Sequence, residues 1–311
     1  PIQLLLYLPE KAGKVPVFLG YNFTGNHTVT SDVEVRISDS WVDNDPSLGI
    51  INHRLTEQSR GAASDRWPVQ MILDAGFGVA TMYYGDVDPD RDDFSDGVHP
   101  FAYQTGQEKP APDGWGSLSA WAWGLSQALN YLETDPGVDA SKVIAIGHSR
   151  LGKAALWAGA CDTRFAMVVS NNSGCGGAAL SRRKFGETVE RINTHFPHWF
   201  CDNFKAYNGR EENLPVDQHE LIALIAPRPV YIASAAGDLW ADPRGEYLSG
   251  LFASPVYALY GLTGLTSPEM PPVHTPVMNR IGYHIREGKH NITPYDWQQF
   301  IHFANLHFFG K

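Results

Sequence analysis

The stretch VIAIGHSRLGKAAL, residues 143–156, is the most informative part of this chain. A short aliphatic run leads into Gly-His-Ser, and a segment rich in Ala and Leu follows. The motif G-x-S-x-G places a nucleophilic serine on a sharp turn between a strand and a helix. Here Gly147 and Ser149 fit that motif, whereas Leu151 takes the second glycine position and Gly152 comes one residue later. The context predicts such a turn with an altered second half; the alternative is a serine that only caps a helix.

The composition favours a globular domain and excludes several other classes of protein. Of the 311 residues, 43% are hydrophobic, which is enough for a large core. The formal net charge is −10, with 24 Lys and Arg against 34 Asp and Glu, and no basic block occurs. We therefore expect no nucleic-acid partner, because such binding depends on clustered cations. No apolar run reaches the roughly 18 residues of a membrane span, so we expect no membrane association.

Apolar runs and helical patterns alternate along the chain. Continuous rather than alternating apolar runs are typical of strands covered on both faces of a parallel sheet. The runs lie at 15–20, 77–84, 142–146, 166–170 and 229–234. The clearest helical patterns span 115–134 and 294–308, and Thr293 and Pro294 predict the start of the second.

This alternation predicts an α/β fold, with a mostly parallel central sheet and helices on both faces. No repeat or linker divides the chain, so we expect a single catalytic domain over residues 1–311. The stretches at 86–114 and 253–280 are rich in Asp, Pro and Gly and predict long loops.

A serine nucleophile needs a histidine to take its proton and a carboxylate to orient that histidine. In this type of fold the order along the chain is serine, acid, histidine, each after a strand. The run PVYIAS precedes Asp238 and Asp242, and the strand-like IGYHIR precedes His290. Asp238 and Asp242 are both candidates for the acid, although an Asp directly before Pro243 is also a typical helix cap.

The oxyanion that forms during attack needs hydrogen-bond donors aimed at it. The backbone N–H of Arg150, the residue after the serine, predicts one donor, and its side chain adds a charged one. A second backbone donor is expected from the loop GYNFTGNH, residues 20–27.

Together these residues resemble the glucuronoyl esterases, the fifteenth family of carbohydrate esterases. The nucleophile motif of that family, G-x-S-R-x-G-K, is matched by GHSRLGK at 147–153, late glycine included. The resemblance implies an α/β-hydrolase fold and a serine esterase without metal or cofactor. It also implies a carbohydrate substrate, an ester between (4-O-methyl-)glucuronic acid of xylan and a lignin alcohol. The similar stretches lie at 171–183, 198–204, 219–247 and 288–297.

The resemblance assigns a role to six residues. These are Ser149 as nucleophile, His290 as general base, Arg150 beside the oxyanion, and Lys153, Glu187 and Trp240 as contacts of the sugar. Trp199 either lines the same cleft or anchors a loop. The alternative for Arg150 is a surface arginine that pairs with an acid, and for Lys153 and Glu187 it is a solvated residue of a helix.

Two departures from the family pattern matter. Many members, the fungal ones especially, carry the acid as a glutamate at the position of Asn172, and an amide cannot stabilise an imidazolium by charge. We therefore assign the acid to Asp238, which follows the next strand at the usual position of α/β hydrolases, with Asp242 as the alternative. His148 occupies the position of a disulfide-forming cysteine in fungal members. In this respect the chain resembles the bacterial members of the family. By resemblance we expect a monomeric protein that is secreted or periplasmic, although no signal peptide is recognisable in this sequence.

The acidic stretch 85–97 suggests calcium, because Asp88, Asp90 and Asp92 alternate. An EF-hand needs Gly at its sixth and Glu at its twelfth position, where Asp93 and His99 stand, so we expect a solvated loop and no metal. Competing functions are an acetyl-xylan esterase or another α/β hydrolase, such as a peptidase, on the same scaffold, and a catalytically inactive carbohydrate-binding relative.

Overall fold

A computed structural model describes residues 2–10 and 13–310 and contains one eight-stranded sheet. The strands are β1 (Leu4–Tyr7), β2 (Val15–Asn22), β3 (Gly78–Tyr83), β4 (Val138–His148), β5 (Met167–Asn171), β6 (Val230–Ala235), β7 (Val277–Met278) and β8 (Ile281–Arg286). Their order across the sheet is β1-β3-β2-β4-β5-β6-β8-β7. β1 and β7 pair antiparallel at the two edges, and the strands between them are parallel.

Helices cover both faces of this sheet, as the continuous apolar runs predict. In β4, Val143 and Ala145 face one hydrophobic core, while Ile144 and Ile146 face the other. The first core includes residues of α2 to α6, and the second includes residues of α1 and α7. The helices are, in order from α1 to α7, Val69–Asp74, Ser117–Leu132, Arg150–Cys161, Val189–His195, Gln218–Ala223, Pro243–Ala258 and Pro294–Phe309.

The α/β class and the predicted elements are confirmed, with one correction. Helix α7 begins as expected, since Thr293 forms a capping box with Asp296 and Pro294 occupies the first turn. The loop predicted from residue 253 is wrong at its start, because α6 continues to Ala258. Pro255 lacks an N–H donor, yet the helix does not end there and continues for three more residues to Ala258. Among the described residues, no helix is both long and apolar enough to cross a bilayer.

The parallel strands bring distant parts of the chain to one edge of the sheet. His148, Asn171 and Ala233 pair in register at the ends of β4, β5 and β6, and β8 ends beside β6. The residues that follow these strands therefore meet above the same edge, where α/β folds bind their ligands.

Candidate active site

Ser149 lies on the sharp turn between β4 and α3 and has a strained backbone conformation, φ 58° and ψ −131°. Gly147 makes the turn possible, because a Cβ there would lie 2.0 Å from the carbonyl oxygen of Leu151. Gly152 packs close to the same strand, where a Cβ would lie 3.0 Å from the Gly147 oxygen. The late glycine thus serves the helix–strand contact, and Leu151 points into the core.

His290 contacts the carboxylate that the sequence assigns to it. Its Nδ1 lies 2.6 Å from Oδ2 of Asp238, and the amide of Asn172 donates to the same oxygen at 2.9 Å. Burial alone would raise the pKa of Asp238, but the hydrogen bond and charge of His290 and the Asn172 amide lower it. The carboxylate is therefore held in its charged form, as the partner of a catalytic imidazole must be.

Asp242, the alternative acid, has a different partner. Its Oδ2 accepts from Arg183 Nε at 2.8 Å. It directly precedes α6, as expected, but its backbone is left-handed (φ 53°) and its side chain does not cap the helix. The expected capping bond is wrong because the carboxylate pairs with Arg183 instead.

The loop that carries His290 is held by two residues at the ends of β4 and β5, His148 and Asn171. The ring of the buried His148 packs against that of His290 with centroids 4.5 Å apart. The amide of Asn171 donates both to His148 Nδ1 at 2.8 Å and to the backbone oxygen of Asn291 at 2.9 Å. Burial, with the charge of His290, holds the pKa of His148 well below its usual range. The ring that packs against His290, the predicted general base, is therefore neutral and does not repel a proton there.

All eight residues predicted for the site line one pocket of about 330 Å³. These are Ser149, Arg150, Lys153, Glu187, Trp199, Asp238, Trp240 and His290. Their individual roles stay predictions. Phe23 and Thr24, from the loop expected to supply the second oxyanion donor, line a separate cavity together with Gly147 and His148.

Lys153 and Glu187 are buried partners rather than solvated helix residues. The ammonium of Lys153 donates to Glu187 Oε2 at 2.7 Å and to the backbone oxygens of Ser173 and Cys175 at 2.7 and 2.6 Å. An ammonium has three N–H donors, so all of them are used within the protein. The expectation that Lys153 itself reaches sugar hydroxyls thus requires it to share one of these bonds.

Asp90 is a residue of the site that the sequence did not reveal. It is 8% exposed, so the expectation of a solvated loop is wrong here. Its carboxylate accepts from Tyr84 OH at 2.9 Å, His198 Nε2 at 2.8 Å and Trp199 Nε1 at 2.7 Å, and it pairs with Arg150. Burial alone would raise the pKa of Asp90, but the His198 bond and the Arg150 charge bring it well below its usual range.

The described part of the acidic stretch 85–97 contains no candidate metal site. Over residues 2–10 and 13–310, no group of three or more His, Cys, Asp or Glu side chains is arranged to hold a metal ion.

Aromatic side chains form the walls of the pocket. The guanidinium of Arg150 lies 4.7 Å from the ring centroid of Trp199 and 5.1 Å from that of Phe196, and these two rings stack at 3.8 Å. Trp199 both lines the cleft and anchors its loop, since its N–H is bound to Asp90. Trp240 is 45% exposed and lines the same pocket.

Comparisons with known proteins concern the chain as a whole. A family model described as glucuronyl esterase of fungi matches residues 67–261. A carbohydrate esterase of an unknown prokaryotic organism is 52% identical over 99% of this chain and 72% of its own. A 4-O-methyl-glucuronoyl methylesterase of Wolfiporia cocos is 30% identical over 82% of this chain and 64% of its own.

The fold is shared as well as the sequence. The solved structure of a glucuronoyl esterase from Solibacter usitatus superposes with a TM-score of 0.92 at 49% identity, covering 98% of this chain and 77% of that one. Sequence, fold and pocket thus lead to one conclusion: the chain belongs to the glucuronoyl esterase family.

Proposed function

We propose that this protein is a serine carboxylesterase that hydrolyses esters of glucuronic or 4-O-methylglucuronic acid, as in links between glucuronoxylan and lignin. The observation that carries the proposal is the 2.6 Å contact between His290 Nδ1 and Asp238 Oδ2 in the pocket of the strained Ser149. Esterases named for these substrates are among its relatives.

The reaction proceeds in two halves. In the first, Ser149 Oγ attacks the ester carbonyl carbon while His290 Nε2 takes the hydroxyl proton. The backbone N–H of Arg150, at the start of α3, donates to the resulting oxyanion. Collapse of this intermediate breaks the bond to the alcohol oxygen, which receives the proton from His290, and leaves the uronoyl group on Ser149.

The second half repeats these steps with water. His290 takes a proton from water, whose oxygen attacks the acyl carbon, and then returns it to Ser149 Oγ as the free uronic acid forms. Asp238 stabilises the imidazolium in both halves. The chemistry needs no other group, since the nucleophile, the base and the acid all come from this chain.

The buried pair Lys153–Glu187 and the exposed face of Trp240 support a sugar as the acid part of the ester. Glu187 uses only Oε2 for Lys153, so Oε1 is available for a sugar hydroxyl. Trp240 offers a flat surface for a pyranose ring. An acetyl group has neither hydroxyls nor a ring, so these features favour a glucuronoyl ester over an acetyl ester.

We further propose a single-domain monomer that acts outside the cytoplasm, secreted or periplasmic. The pocket takes its residues from one chain, which supports activity as a monomer. A polymeric substrate such as glucuronoxylan does not enter cells, which supports export.

The test is hydrolysis of a glucuronic acid benzyl ester, with acetylated xylan as the competing substrate. We expect turnover of the benzyl ester, its loss in Ser149→Ala, and slower release of acetate. Faster release of acetate would favour the acetyl-xylan reading. No hydrolysis of either substrate by the parent would contradict esterase activity and favour a binding protein.

A further inference from the structure

The pocket contains two cations, and both are paired with carboxylates. Arg150 pairs with Asp90, whose side chain is 3% exposed, and Lys153 pairs with Glu187, whose side chain is 6% exposed. Asp238 adds a third carboxylate behind His290. With a neutral His290, the carboxylates of the pocket and its direct partners therefore outnumber the cations.

This balance matters because substrate and product differ in charge. A glucuronoyl ester is uncharged, whereas the acid released from it is a carboxylate at neutral pH. A buried anion without a compensating cation is unfavourable, since it loses its hydration and gains no partner. A pocket with a free Arg or Lys would instead retain the product.

The geometry around Asp90 determines how completely the positive charge of Arg150 is compensated. Hydrogen bonds from Tyr84, His198 and Trp199 hold the Asp90 carboxylate against Arg150. Arg150 donates to it through Nη1 and stacks on Trp199, while its buried Nε has no partner among the residues that the structure describes. An incoming carboxylate therefore meets an arginine whose positive charge is already paired.

A further cation lies at the rim. The guanidinium of Arg191 lies 5.6 Å from the ring centroid of Trp240 and donates to the backbone oxygen of Gly186. Arg191 is exposed, so water and salt screen its charge. It therefore does not replace the cancelled charge of Arg150 inside the pocket.

We propose that the paired charges select the uncharged uronate ester over the free uronate, with Asp90 as a specificity-determining residue that cancels Arg150. The inference rests on the proposed function and extends it to product release. Such discrimination works by disfavouring the wrong ligand rather than by adding contacts to the right one.

The experiment compares two ligands by titration calorimetry on Ser149→Ala, which cannot turn over the ester. The ligands are methyl glucuronoside and its methyl ester, at about pH 8, where ordinary histidines are uncharged. We expect the ester to bind at least about tenfold more tightly than the acid. Adding Asp90→Asn should strengthen acid binding about tenfold, or about 1.4 kcal/mol, and change ester binding less than about threefold.

The matched control is Asp92→Asn, an exposed residue of the same loop that gives the same change in net charge. It should leave both affinities unchanged. Equal binding of acid and ester, or an equal shift of both in Asp90→Asn, would overturn the inference.

A measurement without the Asp90 variant guards against its failing to fold. For Ser149→Ala alone, raising NaCl from about 0.05 M to about 0.5 M should not weaken acid binding, because salt screens repulsion as well as attraction. A clear weakening would reveal a free cation and contradict the inference. The proposed function fails separately, if the parent leaves the methyl ester intact and Ser149→Ala binds neither ligand.

Discussion

Replacing Asp238 by Asn tests the core of the site, because it keeps the shape and removes one charge. The carboxylate is 5% exposed and touches His290 Nδ1 at 2.6 Å. With charge centres about 4 Å apart and an effective dielectric constant of about 20, the attraction is about 4 kcal/mol. Because the His290 side chain is 40% exposed, solvent reduces this, and we take about 2 to 4 kcal/mol.

That range corresponds to a loss of about 30-fold to 10³-fold in kcat for Asp238→Asn. The loss reaches about 10⁴-fold if the new amide turns its nitrogen toward His290, because this forces the proton onto Nε2 and inverts the tautomer. Asn172 already donates to the same side of residue 238, which favours the oxygen and hence the smaller loss.

The assay is kcat for a glucuronic acid benzyl ester, with Asp242→Asn as the control. Asp242 is equally buried but pairs with Arg183, so its variant should keep kcat within about threefold while losing stability. Parent-like kcat in Asp238→Asn, or a collapse in Asp242→Asn instead, would refute this assignment of the acid.

Two further predictions concern stability. Gly147→Ala should abolish activity and lower the yield of folded protein, because its Cβ would lie 2.0 Å from the Leu151 oxygen. The control is Gly13→Ala, whose Cβ would have no atom within 4 Å. It should be neutral in the same assay and in thermal unfolding. Burial raises the pKa of Glu246 from 4.5 to about 8. The folded state then holds a proton that the unfolded chain releases, so stability falls as pH rises through this window, by at most about 1.4 kcal/mol per pH unit. Glu246→Gln should remove that contribution, and its stability relative to the parent in urea unfolding should grow from about pH 5.5 to pH 7.5; a constant difference would contradict the shifted pKa.

Patterns local in the chain predicted the fold and placed the proposed nucleophile and base after strands. Continuous apolar runs identify strands because both faces of β4 are buried, and Ser149 and His290 follow strands whose order the fold fixes. Pro255 shows the limit of such patterns: a proline usually indicates the end of a helix, yet here the helix packing around it prevails.

Partners distant in the chain could not be predicted in this way. Asp90 binds Arg150 and Trp199, which are 60 and 109 positions away. Nothing in the sequence distinguishes this buried aspartate from the others in the acidic stretch. Lys153 and Glu187 were both identified, but not their pairing across 34 positions. Side-chain types predict the chemistry of a site, whereas tertiary packing decides which charges cancel.

The contact between Asn172 and Asp238 bears on which of two neighbouring strands carries the predicted acid. Asn172 follows β5 and Asp238 follows β6, the two strands are neighbours, and the side chains touch at 2.9 Å. A second carboxylate at residue 172 would lie so close to Asp238 that the pKa of one of them would rise and its charge would be lost. His290 needs only one negative charge. An amide at residue 172 avoids this repulsion and donates a hydrogen bond that helps to keep Asp238 charged, as the predicted acid of the triad must be.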